Sequence, residues 1–538
     1  MKKYTTADAL RTHESRKTGR KTWDTVWDEI AYYVLPSQTG FITQFTPGEK
    51  QRWSLRFDNT AGYANKKLAN HLHMSMVSPS KDWFEVQLKD KELGSVDAVK
   101  EWLDDTNDKM YLAFAESNFN AQINTLFQIF CAFGTGSMDV NFQAKPDNPF
   151  TLLFQSVDIG VCTFDYNEWF QIDTKVEEFK LTPRQISARF DKDFSSDGSM
   201  DGKIEILKVT RPNPDYEPES LSPKKRAYLI EWCRNKKVFA TETAYEQPFM
   251  VVRASEIKQD GIYGEGFALN CLSDIRSINE LKRLELRSAE KAVDPPLIAS
   301  MNAVMSDLHV EAGGITIVRN PRDIGELPGQ MKQEIVMYKA EDLRRSILMT
   351  YGITELDVPD RRDQNPVTAT EILIRQEQAQ KMLGASVGRI KDELLTPMLT
   401  RVFGLMHRNG RLLPMPEELS GADVEISFIG PLAKAQRADD ATAIARAMEL
   451  SMGISQMTGK PSKVIDYDKA ERVSFDIMGV PASVIRSEDE VAQMEAEEQK
   501  AAKAQAEKEQ QMAGAQIEQE QAAAGTAQVE LAQNIRGL

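Results

Sequence analysis

Five histidines and four cysteines are all that a chain of 538 residues offers to metal or thiol chemistry. Cys131, Cys162, Cys233 and Cys271 lie far apart and make no CxxC pair, so buried free thiols in a reducing compartment are expected. His71 and His73 are badly spaced for one helix face and have no Cys, His or acidic cluster beside them, while His13, His309 and His407 are scattered, so no metal site is expected. No phosphate cradle is present: Gly459-Lys460 has Gly453 one residue too far upstream and Pro461 where Ser or Thr is required. Gly134 and Gly136 lack the third glycine of a dinucleotide fingerprint and read as a helix C-cap with a tight turn; Gly261, Gly264 and Gly266 also read as turns. There is no nucleophile elbow and no HExxH. Acids such as Asp357, Asp360, Asp363 and Asp439-Asp440 read as solvated surface in a chain with 81 of them. These absences argue against an enzyme and against any cofactor. No run of eighteen apolar residues occurs, so no membrane span is expected. The start, MKKYTTADAL, lacks the apolar core of a signal peptide, and synthesis in the cytoplasm follows as an expectation. Positive charge is also short: 66 Lys and Arg against 81 acids leave -15. A protein that gripped phosphates over a broad surface would be basic, so DNA, if met, is touched locally or slides past.

What is present is a chain 41% hydrophobic, enough to bury cores in two to four domains. Trp23, Val26, Trp27, Ile30, Tyr33 and Val34 predict an amphipathic helix over 14–35 that stops at Pro36. Further helices are predicted at 60–77, 97–118 and 121–133, with a strand at 83–88. From about 150 to 255 the period moves toward two, with strands at 151–155, 169–178, 203–210, 226–233 and 247–253 and turn-rich stretches between them. This is an α+β block of antiparallel character without a βαβ rhythm.

From 269 the helical period returns. Leu272, Ile275, Ile278, Leu281 and Leu284 make a stripe that stops at Asp294-Pro295-Pro296. An insert follows, with Gly313-Gly314 and the apolar run Ile315-Thr316-Ile317-Val318. A second helix runs from about 330 to 349 through Ile335, Met337, Tyr338, Leu343 and Ile347. Two long helices around a compact insert suggest a paired stalk with a small domain at its tip. A polar loop over 351–366, a long helix over 367–408, a strand at 423–429 and helices at 432–451, 461–475 and from 487 complete the pattern. Residues 487–510 hold eight acids and three lysines. The Ala/Gln/Glu-rich tail cannot build a core; a frayed helix, disorder, or order imposed by neighbouring subunits are all open to it.

Six stretches stand out by their joint order and spacing: Trp27-Asp28-Glu29-Ile30 through Leu35-Pro36, Phe57-Asp58-Asn59-Thr60-Ala61, Leu72-His73-Met74-Ser75-Met76, Phe130-Cys131-Ala132-Phe133-Gly134-Thr135-Gly136, Leu281 to Pro296, and Pro366-Val367-Thr368-Ala369-Thr370-Glu371-Ile372 followed by Arg375, Glu377 and Leu383-Gly384. Together they resemble the head-to-tail connector, or portal, family of short-tailed double-stranded DNA bacteriophages. The resemblance runs to about residue 480. It implies a ring of twelve subunits around a channel at one capsid vertex of the virion. In that scheme 1–268 is an α+β wing, 269–292 and 330–350 are stem helices, 293–329 is a small α/β clip and 351–366 a tunnel loop. Residues 367–430 are a spine helix and its return to the wing, 431–486 a mostly helical crown, and 487–538 a tail that could form a barrel-like extension. Implied partners are the terminase large subunit, tail adaptor proteins, the major capsid protein, scaffold, internal core proteins and passing double-stranded DNA, with no membrane. Arg344, Arg345, Asp357, Arg361 and Arg362 are candidate channel-facing groups. Asp294, Pro295, Pro296, Gly313 and Gly314 are candidate docking positions on the clip. The stripe from Leu272 to Leu284, with Ile335, Leu343 and Ile347, is candidate stem packing. The alternative is another virion component, a scaffold or tail protein; the tail suits a scaffold, but the aromatic-rich first 430 residues argue for a folded body.

Overall fold

A computed structural model describes residues 5–37, 41, 56–79, 82–88, 96–143, 150–191, 202–218, 220, 222–254, 261–293, 297–299, 324–326, 333–353, 384, 386–416, 419, 424–428, 431–458, 467–478, 491, 494 and 500. In chain order these carry α1 (Thr6–Gly19), α2 (Lys21–Tyr33), α3 (Thr60–Met76), β1 (Phe84–Leu88), α4 (Asp97–Ala115), α5 (Phe119–Phe133), β2 (Thr135–Gln143), β3 (Thr151–Val157), β4 (Cys162–Tyr166), β5 (Ile172–Leu181), α6 (Pro183–Phe190), β6 (Ile204–Pro212), β7 (Tyr228–Arg234), β8 (Lys237–Ala244) and β9 (Phe249–Arg253). Then come α7 (Phe267–Asn270), α8 (Leu272–Val293), β10 (Leu297–Ala299), β11 (Ile324–Glu326), α9 (Gln333–Thr350), α10 (Thr396–Arg408), β12 (Val424–Phe428), α11 (Pro431–Thr458) and α12 (Tyr467–Met478). The fold class is α+β. The chain divides into two compact units, one of 1–87, 106–414 and 424–431, the other of 88–105, 415–423 and 432–538.

In the first unit, β4-β5-β6-β7-β8 form an antiparallel five-stranded sheet, and β3-β2-β9 a three-stranded one. Ala9 and Leu10 of α1 pack on Val176, Val209 and Cys233 of the larger sheet. Its other face takes Ile186 of α6 against Ile206, Ile230 and Trp232. Between the sheets lies a buried charge cluster. Asp139 of β2 accepts from Lys175 (2.6 Å) and Lys208 (2.5 Å), and Glu177 stands 3.1 Å from Lys175. Burial pushes the Asp139 carboxyl up, but the two ammonium groups outweigh it and hold it well below its ordinary value. Each charge is thereby matched, which a buried ion demands.

The helix expected at 14–35 is two helices hinged at Arg20. Its buried guanidinium reaches the carbonyls of Ile159, Gly160 and Cys162 at 2.5–2.9 Å and Asp24 at 2.8 Å. Around β1, Trp83, Phe84, Tyr111, Phe114, Phe119 and Phe154 form an aromatic core. The Tyr111 hydroxyl donates to the Phe84 carbonyl and accepts from the Trp83 and Phe84 amides. All four cysteines are buried and free. In the second unit, Ser451 of α11 and Tyr467 of α12 meet side chain to side chain at 2.8 Å.

Candidate functional site

The stalk expected from periodicity begins at a glycine joint. Gly134 ends α5 in the left-handed region, φ 74°, as the C-cap reading requires. Its carbonyl accepts from Ala254 (2.8 Å), and the Thr135 hydroxyl accepts from the Gly264 amide (3.0 Å). The backbones of Gly134, Gly264 and Gly266 cross so closely that a Cβ on Gly264 or Gly266 would lie 2.5 Å from a backbone atom. Gly264 and Gly266, read from sequence as turn residues, are therefore also contact residues. The close approach of these segments was invisible in the sequence, and no local pattern announces it.

From this joint α7 and α8 spring. Leu272, Ile275 and Ile278 of α8 are buried, with Ile347 of α9, and Tyr351 just beyond α9 is fully buried and stacked on Phe267. Burial pushes the Tyr351 phenol well above its usual pKa. Polar groups tie the root of the helix pair to the body. Asn279 of α8 accepts from the amides of Phe57 (2.8 Å) and Asp58 (3.4 Å). Asp58 takes Arg344 of α9 at 3.3 Å. Arg276 makes a two-pronged pair with Glu29 of α2, and Ser346 of α9 donates to Asp274 of α8 at 2.7 Å. Asn279, Asp58 and Arg276 were not singled out from sequence; their spacing carries no motif.

Farther from the root Val336 and Ala340 of α9 are still buried, but other apolar side chains are not. Leu281 is half-buried, and Leu284, Leu286, Met337 (68% exposed) and Tyr338 (77% exposed) face outward. Leu343 is half-buried; Ile335 lies in α9, its side chain outside the described residues. The pair thus has two kinds of apolar position: a buried set, Leu272, Ile275 and Ile278 with Val336, Ala340 and Ile347, and an exposed set, Leu284, Leu286, Met337 and Tyr338. Of the candidate channel groups, Arg344 is engaged by Asp58 and Arg345 is exposed. Asp357, Arg361 and Arg362 lie outside the described residues, as do Asp294, Pro295, Pro296, Gly313, Gly314 and the run Ile315 to Val318. Of the insert, β10 and β11 are seen, paired antiparallel from Leu297↔Glu326 to Ala299↔Ile324. The two helices are electrically balanced: α8 holds four acids and five bases, α9 three of each. The acid surplus lies elsewhere. No group of three metal-ligating side chains occurs among the described residues, and no described helix is long and apolar enough to cross a membrane.

Comparison with known proteins adds to this geometry. Residues 6–485 match the family described as bacteriophage head to tail connecting protein. The chain belongs to this family. A probable portal protein of Bordetella phage BPP-1 is 25% identical over 513 residues, covering 91% of both chains. The portal protein of Salmonella phage epsilon15 is 21% identical over 505 residues, covering 91% of this chain and 90% of its own. The connector is thus a portal protein, the structural joint between phage head and tail.

Proposed function

We propose that the connector works as a ring of twelve copies around a channel at one capsid vertex. The observation that carries this reading is the helix pair α8–α9, which has a buried apolar face and, beside it, the exposed apolar side chains Leu284, Leu286, Met337 and Tyr338. A closed ring needs a contact between two different surfaces, repeated by rotation. Leu284, Leu286, Met337 and Tyr338 supply one side of it. In this reading α8 and α9 are the stem, the insert between them the clip, 1–268 the wing, 351–366 the tunnel loop, 367–430 the spine and its return, 431–486 the crown and 487–538 the tail. The clip, including Asp294-Pro295-Pro296 and Gly313-Gly314, first receives the terminase large subunit, which drives DNA inward by its own ATP hydrolysis, and later the tail adaptor proteins. The wing and crown meet the major capsid protein, scaffold and internal core proteins.

Passage of DNA is mechanical and blind to sequence. Balanced stem helices neither grip phosphates over a broad area nor repel them strongly. Arg345, with Arg361 and Arg362 on the tunnel loop, makes brief phosphate contacts; Arg344 steadies the stem through Asp58. The test is native mass spectrometry of the purified chain: twelve copies of 60.6 kDa give about 727 kDa. An assembly of that mass with a central hole in particle images supports the reading. A stable folded monomer or dimer overturns it.

A further inference from the structure

One end of the five-stranded sheet has a composition unlike the rest of the surface. The β4–β5 turn exposes Trp169 (74%) and Phe170 (55%), and the β6–β7 loop exposes Tyr216. Beside them Arg226 and Arg408 both lie over the ring of Tyr245, at 4.4 and 4.5 Å. The segments are held together: the Gln247 side chain donates to the Ile172 carbonyl (3.1 Å), and Arg253 donates to the Phe170 carbonyl (3.4 Å).

The aromatic tip is fixed in an unfavourable backbone. Phe170 has φ 58°, a region bulky residues avoid. The Asn167 side chain holds it there by accepting from the amides of Trp169 and Gln171, both at 3.0 Å, and Tyr166 stacks on the Phe170 ring. Strain of this kind persists where the surroundings enforce it, and it concentrates at functional sites. Here it presents two large apolar rings to water, pre-ordered.

We infer that this end of the sheet is a docking surface for a protein other than this chain, one that offers an apolar pocket to Trp169 and a carboxylate to Arg226. Rigid Trp and Tyr with Arg are the residues that dominate protein–protein binding energy. Arg408 is already paired with Glu246, whereas Arg226 has no carboxylate partner among the described residues. Nucleic acid fits poorly, because the exposed tip is two apolar rings, Trp169 and Phe170, with the exposed Glu168 beside them, and Lys225, Arg401 and Arg408 are already taken up by Glu217 and Glu246. A second copy of this chain is the rival occupant, which crosslinking distinguishes. A protein that joins head to tail must also hold at least one unlike partner.

The test puts a photo-crosslinking benzoylphenylalanine at Trp169 in the connector made during infection, with irradiation of assembled particles and mass spectrometry of the adducts. Lys203, exposed at the opposite end of the sheet, is the control position. The expected result is an adduct to a different virion protein, reduced at least tenfold by Arg226→Glu with an unchanged unfolding temperature. Adducts to a second copy of this chain, or a yield no greater than from Lys203, overturn the inference. It rests on membership of the connector family and not on ring number, which the native mass of the unmodified chain judges separately.

Discussion

Gly134, Gly264 and Gly266 decide whether the helix pair can leave the body where it does. Gly264→Ala would set a methyl 2.5 Å from the Ala254 amide nitrogen and the Gly134 carbonyl oxygen, backbone on both sides, with nowhere to yield. The expected loss is on the order of 3 kcal/mol in denaturant unfolding. Gly388→Ala is the counter-case: this helical glycine has nothing within 4 Å of a new Cβ, and the change should stabilise by about 0.5–1 kcal/mol. A second residue-scale prediction concerns Glu178 of β5. The His13 hydrogen bond, opposed by burial and aided by Lys17, pulls its carboxyl from 4.5 to about 2. A carboxyl held low in the fold contributes stability that is fully present above its unfolded value and is lost as pH falls through its folded one. Amide exchange of α1, which carries His13 and Lys17, should therefore accelerate between about pH 4.5 and 2. Glu178→Gln should weaken the docking of α1 at neutral pH and flatten that dependence; an unchanged pH profile would refute the assignment.

At the scale of elements, amphipathic helices and most strands were readable, but not every strand was. The stripe from Leu272 to Ile347 announces α8 and α9 because each helix has one wet face, and periodicity reports the boundary between wet and dry. β2 was missed because its first six residues, Thr135 to Val140, are buried on both faces, which erases alternation, and because Thr135, Ser137 and Asp139 look like loop. β8 escaped notice as a half-exposed edge strand. α6 was legible and overlooked: Thr182 and Gln185 form a capping box around Pro183 at the first helical turn. The root of the candidate site was only half legible, since Asn279, Asp58 and Arg276 act across more than two hundred residues. The exposed apolar side chains of the helix pair carry their own prediction. Met337→Ser with Tyr338→Ser removes apolar surface that nothing in the single chain covers, so the unfolding temperature should stay within about 2 °C of the parent. If those side chains close the ring, the double variant should need at least tenfold more protein to assemble, read by mass photometry across a dilution series. Equal assembly would move the contact elsewhere.

For the whole molecule, charge opposes assembly and apolar surface favours it. Residues 487–538 hold eleven acids and four bases, a net -7 out of the chain's -15. Bringing copies together therefore concentrates like charge, and nearly half of it sits in the tail. Salt screens such repulsion over about 8–10 Å at physiological strength and leaves apolar burial intact. Ring assembly should accordingly strengthen as sodium chloride rises from about 0.02 to 0.3 M, the opposite of a ring closed by surface ion pairs. A chain ending at residue 486 should assemble more readily at low salt and respond less to added salt, because it has lost the most crowded part of the repulsion. Mass photometry of both chains across that range tests the balance. If salt dissolves the full-length ring, ion pairs rather than the exposed apolar side chains of the helix pair hold it closed. If truncation leaves the salt response unchanged, the tails lie too far apart to repel, and the remaining -8 on residues 1–486 is the charge that the apolar contact must overcome.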